Sequence, residues 1–221
     1  MKNIAVLIPA FNASGTIGAV ITGVTAYLPV ENVIVVDDGS TDKTSFAAGS
    51  LGARVLKHAT NRGKGAALRT GLDFVLHDSF DAVITLDADL QHPPEHIPQF
   101  IDLYSKNGFD VIIGSRLHNM KGMPLHRILS NTITTFLVSA RTSRKIADSQ
   151  SGYRLIDRKV LETVRLKSNG FEAETEFLIK AAAHGFTFGF VPIRAVYARE
   201  KSHMTHFSTT VKFVKVLFQD Y

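Results

Sequence analysis

Short aliphatic, β-branched runs alternate with amphipathic stretches of helical period through the first half of the chain. Residues 4–9, 32–36, 54–57, 82–86 and 110–115 read as strands. Helices are predicted between them. One is capped by Ser14 and runs to about residue 27 with Ile17, Val20, Ile21 and Val24 on its apolar stripe; a second ends near 51. A third opens at 61–67 and runs to about 77, and a fourth follows Pro94, a residue suited to the first helical position. Run 82–86 is nearly uncharged, the pattern of a strand buried on both faces and therefore central. Strands and helices alternating across short connections predict an α/β fold, a mostly parallel central sheet with helices on both faces.

Beyond Pro124 the period changes. Leu125, Ile128, Leu129, Ile133, Phe136, Leu137 and Ala140 fall at helical spacing and predict a helix of about four turns whose apolar face packs into the core. Arg127 and Asn131, four apart, share another face of it. Residues 148–154 read as a polar turn, Asp157 as the cap of a short helix, 172–184 as a helix ended by Gly185, 186–197 as a strand and 208–218 as a last amphipathic helix. Glu172, Glu174 and Glu176 lie in the first turns of their helix, where acids favour the dipole, and read as structural.

At 221 residues and 45% hydrophobic, the chain can bury the core of one full domain. The absence of cysteine excludes disulfides and thiolate metal sites and is compatible with a reducing compartment. The apolar part of residues 1–11 is too short for a signal peptide, and no run reaches the ~18 apolar residues of a spanning helix. Formal charge is +5, and its placement is uneven: between 111 and 147 there is no acid, while Arg116, Lys121, Arg127, Arg141, Arg144 and Lys145 are basic. Such a stretch suits a phosphorylated substrate, an anionic membrane or a nucleic acid, or is a solvated basic face. The interleaved aromatics of a nucleic-acid surface are not apparent, so no nucleic-acid partner is expected.

Ligands of open α/β sheets bind beyond the carboxyl ends of the strands. Here those ends carry residues 9–12, Asp37 and Asp38, Asp87 and Asp89, and Ser115 and Arg116. In extended chain, residues two apart point to one side, so the carboxylates of Asp87 and Asp89 can converge past the central strand as hard donors for a hard cation. Capping of a turn is the ordinary alternative for such acids. Residues 63–65 lack P-loop spacing and no G-x-G-x-x-G follows the first strand, which disfavours ATPase and dinucleotide oxidoreductase readings. Mg²⁺ usually keeps one or two carboxylates and completes its shell with water and phosphate oxygens, so a diphosphate is the natural third party. A cation there would neutralise charge on a departing nucleotide diphosphate.

The segments Pro9-Ala10-Phe11-Asn12, Val36-Asp37-Asp38-Gly39-Ser40-Thr41-Asp42, Gly63-Lys64-Gly65-Ala66, Asp87-Ala88-Asp89-Leu90-Gln91-His92-Pro93-Pro94-Glu95, Gly114-Ser115-Arg116 and Ser151-Gly152-Tyr153-Arg154 run in one order along the chain. As an ordered set they resemble the family 2 glycosyltransferases of GT-A fold, and within them the dolichyl- and polyprenyl-phosphate sugar synthases. The resemblance implies one domain over 1–221, with a nucleotide-sugar half at 1–116, an acceptor half at 117–205 and a terminal amphipathic helix at 206–221. It implies that Pro9, Phe11, Asp37 and Asp38 hold the nucleoside, with Lys64 and Ala88 in the same donor-binding set and Arg154 and Arg199 facing the donor phosphates. Asp87, Asp89 and Gln91 then serve Mg²⁺ or Mn²⁺, with His203 a candidate further ligand. Arg116, Arg127 and Asn131 fall where the lipid-phosphate synthases bind their acceptor phosphate.

The expected partners are a nucleotide diphosphate sugar of GDP-mannose or UDP-glucose type and a polyprenyl phosphate, joined by metal-dependent, inverting hexose transfer. A rival reading gives the same fold a sugar-hydroxyl acceptor with Asp148 as the base, and a second makes it a non-catalytic nucleotide-sugar binder. Two positions depart from the pattern: Ala13 replaces an acid, and Thr205 replaces a lysine for which Lys201 or His206 could substitute. The expected location is the cytoplasmic face of a membrane, with peripheral contact through Phe207, Val211, Val214, Leu217 and Phe218 beside Lys212 and Lys215.

Overall fold

Seven strands form one sheet. They are β1 (Ile4–Ala10), β2 (Val33–Asp37), β3 (Arg54–Lys57), β4 (Ala82–Thr85), β5 (Val111–Ser115), β6 (Arg154–Asp157) and β7 (Phe188–Pro192), in the spatial order β3-β2-β1-β4-β6-β5-β7. The structure is a computed structural model and describes residues 2–117, 122–194 and 206–219. Pairing is parallel from β3 to β4 and between β5 and β7; β6 alone runs antiparallel to both its neighbours. Strand β4 is the middle of the seven and is buried throughout, as its uncharged sequence predicts.

Helices α1 (Ile17–Thr25), α2 (Thr44–Gly49), α3 (Lys64–His77), α4 (Ile97–Asn107), α5 (Leu125–Thr142), α6 (Arg158–Thr163), α7 (Ala173–Ala183) and α8 (His206–Leu217) complete the order. Because side chains alternate across a strand, β1 sends Val6 and Ile8 to a core with Ile17, Val20, Ile21 and Val24 of α1, and Leu7 to the opposite core with Leu72 and Val75 of α3 and Phe177 of α7. Pro94 opens a short 3₁₀ turn before α4, and the Asp157 carboxylate caps α6 by accepting from Lys159 N at 2.9 Å.

Four local expectations need correction. Ser14 does not cap α1, which starts after Thr16; its N–H donates to Asp42 instead. Arg154 is not the end of a polar turn but the start of β6, which is wedged between β4 and β5. The strand expected over 186–197 is 188–192 among the described residues. Most of the apolar stripe of α5 does not enter the core: Leu125, Leu129 and Phe136 are 84%, 62% and 69% exposed, while Leu137 packs, partly buried, against it. Its buried positions are Asn131, Thr135 and Val138. The inward face is polar because it bonds a polar loop: Thr135 Oγ1 accepts from Ser149 N at 3.0 Å, and Gln150 Nε2 donates to Thr134 Oγ1 at 2.9 Å.

Candidate active site

The carboxyl ends of β1, β2 and β4 converge, and two of them end in left-handed backbone. Asn12, just past β1, has φ 50°, and Leu90, between the second aspartate and Gln91, has φ 62°. Such a conformation is costly for a residue with a side chain and is held here by specific bonds: Asn12 Oδ1 accepts from Thr41 N at 2.9 Å, and Asp89 Oδ1 accepts from Gln91 N at 2.9 Å.

Asp87 faces a different group. Its Oδ1 lies 2.6 Å from Lys64 Nζ, and the same ammonium is 2.7 Å from Glu174 Oε1 on α7. Burial opposes the charges of both partners, but their mutual attraction wins: the Asp87 carboxyl lies below its ordinary range, and Asp87 and Glu174 hold the Lys64 ammonium above its own. Gly152 leaves room for this cluster of side-chain ends. A Cβ there would sit 2.9 Å from Asp87 Oδ2, 2.9 Å from Glu174 Oε1 and 3.0 Å from Lys64 Nζ. Pro9, Lys64, Asp87, Gly152, Arg154 and Glu174 share the lining of a small cavity of about 20 Å³ at the floor of the cleft.

On the donor side, Phe11 is half-exposed beyond β1, while Ala88 and the two aspartates after β2 are buried. Asp37 accepts from Ser40 N at 2.8 Å and from the Ser45 hydroxyl. Asp38 accepts from His58 Nδ1 at 2.6 Å, Arg62 N at 2.9 Å and Gly63 N at 2.8 Å. Both carboxylates thus brace the loops that frame the cleft. The buried guanidinium of Arg154 donates to the carbonyls of Ser149, Ser151 and Glu174 at 3.1, 2.9 and 3.0 Å, so it ties β6 and its loop to α7. Arg199 and His203 lie outside the described residues, as do Lys121, Lys201 and Thr205.

On the other side, Arg116 follows β5 and meets Asp148 in a two-pronged pair, Nε to Oδ2 at 2.8 Å and a terminal nitrogen to Oδ1 at 2.9 Å. Asp148 is fully buried and also accepts from the backbone N–H groups of Arg116 and Gln150, each at 3.2 Å. Both residues stand where α5 packs: Ser149 and Gln150, next in the chain, are the groups that the inner face of α5 bonds.

The family model for glycosyl transferase family 2 matches residues 5–165. The chain belongs to glycosyltransferase family 2. It is 30% identical to a UDP-N-acetylglucosamine–dolichyl-phosphate N-acetylglucosaminyltransferase from Methanococcus voltae, over 89% of this chain and 86% of that protein. It is 30% identical to a polyprenol monophosphomannose synthase from Mycolicibacterium smegmatis, over 85% and 75%. Its fold matches that of glucosyl-3-phosphoglycerate synthase from Mycobacterium tuberculosis, solved with Mn²⁺, UDP and phosphoglyceric acid, with a TM-score of 0.79, 23% identity, and coverage of 98% of this chain and 77% of that one. The architecture is the GT-A fold, and the protein is a glycosyltransferase.

The transferase cleft fits a divalent cation by its donor set. Asp87 already holds a cation, the Lys64 ammonium, and Asp89 and Gln91 follow in the same loop as oxygen donors. Among the described residues, no three His, Cys, Asp or Glu side chains converge into a closed cage. A Mg²⁺ or Mn²⁺ site that borrows its remaining ligands from water and substrate phosphates needs none.

Sequence reasoning set Glu174 aside as a dipole acid, and only the fold brings it to Lys64. It also passed over His92, which is buried against Tyr153 with ring centroids 6.0 Å apart, has no hydrogen-bond partner on either nitrogen and has Nδ1 4.0 Å from Asp87 Oδ2. Burial, then the nearby Arg116 charge, push its pKa from the ordinary 6.5 down to about 4. The unfolded chain therefore binds a proton between those values that the folded chain refuses, so stability is present above pH 6.5 and lost as pH falls towards 4. The loss is about 3 kcal/mol. Thermal melts of the metal-free protein across that range should show the fall in the wild type and a flatter profile in His92→Gln; parallel profiles would refute it.

Proposed function

We propose that this glycosyltransferase moves a hexose, with inversion and with the help of a divalent cation, from a nucleotide diphosphate sugar to a polyprenyl phosphate at a membrane surface. The observation that carries the reading is the orientation of α5. One face bonds the loop that holds Asp148 and Arg116, and the opposite face exposes Leu125, Leu129, Ile133 and Phe136. An apolar stripe on the reverse of an acceptor-side helix is what a substrate with a charged head and a lipid tail requires. Arg127 on that helix supplies positive charge for the head; the Arg116 guanidinium is already paired with Asp148. The two relatives named for dolichyl and polyprenol substrates support the same class of acceptor.

A hydroxyl acceptor needs a base to remove its proton, whereas a lipid monophosphate is ionised near neutral pH and needs only positioning. Asp148, the sequence candidate for that base, accepts four hydrogen bonds in a fully buried pair. That geometry favours the phosphate. On the donor side, Asp87, Asp89 and Gln91 would hold the cation, which when bound offsets charge on the leaving nucleotide diphosphate. Inversion is expected because a single in-line displacement needs no enzyme nucleophile.

The test offers purified protein labelled nucleotide sugars with Mg²⁺ or Mn²⁺ and two acceptors, a polyprenyl phosphate and the matching polyprenol. Product should form on the phosphate alone, with inverted anomeric configuration. Transfer to the alcohol or to a sugar hydroxyl, with none to the phosphate, overturns the reading.

No helix among the described residues is long and apolar enough to cross a membrane, so contact would be peripheral. On α8, Val211 and Val214 are also exposed, as is Phe218 just past it, whereas Leu217, expected on the same face, is buried in the core; Arg141 of α5 donates to the carbonyls of Leu217 and Gln219 at 3.1 and 3.2 Å, which places the two helices side by side. Leu129→Asp with Phe136→Asp should reduce co-sedimentation with anionic vesicles by about 100-fold, since each buried side chain contributes roughly 1.5–3 kcal/mol. Wild-type protein that stays in the supernatant removes the membrane from the proposal.

A further inference from the structure

Lysine is electrostatically misplaced at the N-terminus of a helix, yet Lys64 is the first residue of α3. Its backbone is pinned there. A Cβ on Gly63 would meet Asn169 O at 2.4 Å and one on Gly65 would meet Ser168 O at 2.5 Å, so the two glycines let the 168–170 loop pass against the helix start; Ala66 N donates to Asn169 O at 3.2 Å. That loop leads directly into α7, which carries Glu174. The lysine and the glutamate are thus mounted on one backbone junction, and Asp87 approaches from β4. The ammonium sits between the two carboxylates, with the Phe171 ring centroid 5.8 Å away. Glu174 Oε1 makes this contact as an ion pair without hydrogen-bond alignment.

We propose that Lys64 is an exchangeable internal counter-cation. In the metal-free protein it neutralises Asp87 and Glu174 together. When the divalent cation and nucleotide diphosphate load, it releases Asp87, stays paired with Glu174 and turns its ammonium to the diphosphate, with Glu174 as the positioning residue. The inference rests on the donor site proposed above. It assigns to one side chain two opposite effects: competition with the cation for Asp87, and attraction for the nucleotide that follows.

Two titrations separate these effects without measuring turnover. Mn²⁺ alone, followed by the paramagnetic signal of the free ion, should bind Lys64→Met roughly tenfold more tightly than wild type, the size of an ordinary coupling between two ligands. UDP or GDP at saturating Mn²⁺ should bind the same variant roughly tenfold more weakly, because a charge-assisted bond is lost. In Glu174→Gln the ammonium is left to Asp87 alone, and Mn²⁺ alone should bind more weakly than to wild type. A lysine with only a structural role predicts weaker binding of both ligands to Lys64→Met. Mn²⁺ binding to folded Lys64→Met that is no tighter than wild type overturns the proposal. If that variant does not fold, Mn²⁺ binding to Glu174→Gln that equals or exceeds wild type overturns it. Failure of both nucleotides to bind wild type with Mn²⁺ instead refutes the donor reading, and the titration with Mn²⁺ alone still decides the exchange.

Discussion

Asp89→Asn is expected to lower sugar transfer on the order of 10³-fold while leaving the thermal midpoint where it is in the wild type. The asparagine side-chain oxygen can still accept from Gln91 N and hold the left-handed turn at Leu90, while the negative charge is lost. Asp89→Ala removes charge and acceptor together. It should lose as much activity and, in addition, about 1 kcal/mol of stability, a shift of roughly 2–4 °C for a chain of this size. The pair of variants separates chemistry from folding. Near-wild-type transfer by Asp89→Asn would remove the acidic pair from the mechanism.

The second large effect concerns stability. Asp148→Asn takes the carboxylate charge out of the buried pair with Arg116, which should cost about 3–5 kcal/mol, or roughly 10 °C in the thermal midpoint. From the sequence, the same substitution reads as a clean way to tell a hydroxyl acceptor, which needs a base, from a phosphate. The buried pair changes what it reports, because loss of activity could then follow from loss of the fold. The informative quantity is transfer to polyprenyl phosphate per folded molecule, measured well below the midpoint. Retained transfer by the folded fraction fits a phosphate acceptor positioned by charge. An unchanged midpoint would show that the pair contributes nothing, and the case for a sequestered carboxylate would fail with it.

Much of this protein is written locally. Alternating hydrophobic runs determine the strands and their order of connection, the uncharged run at 82–86 determines a central strand, and the acids two residues apart past its end mark the cleft. Three features were decided only by the tertiary structure. Strand β6 is four residues long, with Arg154 and Asp157 at its ends, and carries no period of its own; it is a strand because β4 and β5 offer it backbone partners on both sides. The stripe on α5 announces that the helix has an apolar face, but periodicity cannot say which way the face turns. The polar groups of Ser149 and Gln150 bond the other side, and a helix satisfies buried polar partners before it hides its leucines. Finally, the pairs Lys64–Glu174 and Arg116–Asp148 join residues far apart in the chain. Charges leave no trace in a local pattern of whom they will meet, since that is set by which strand ends and helix starts the sheet brings together.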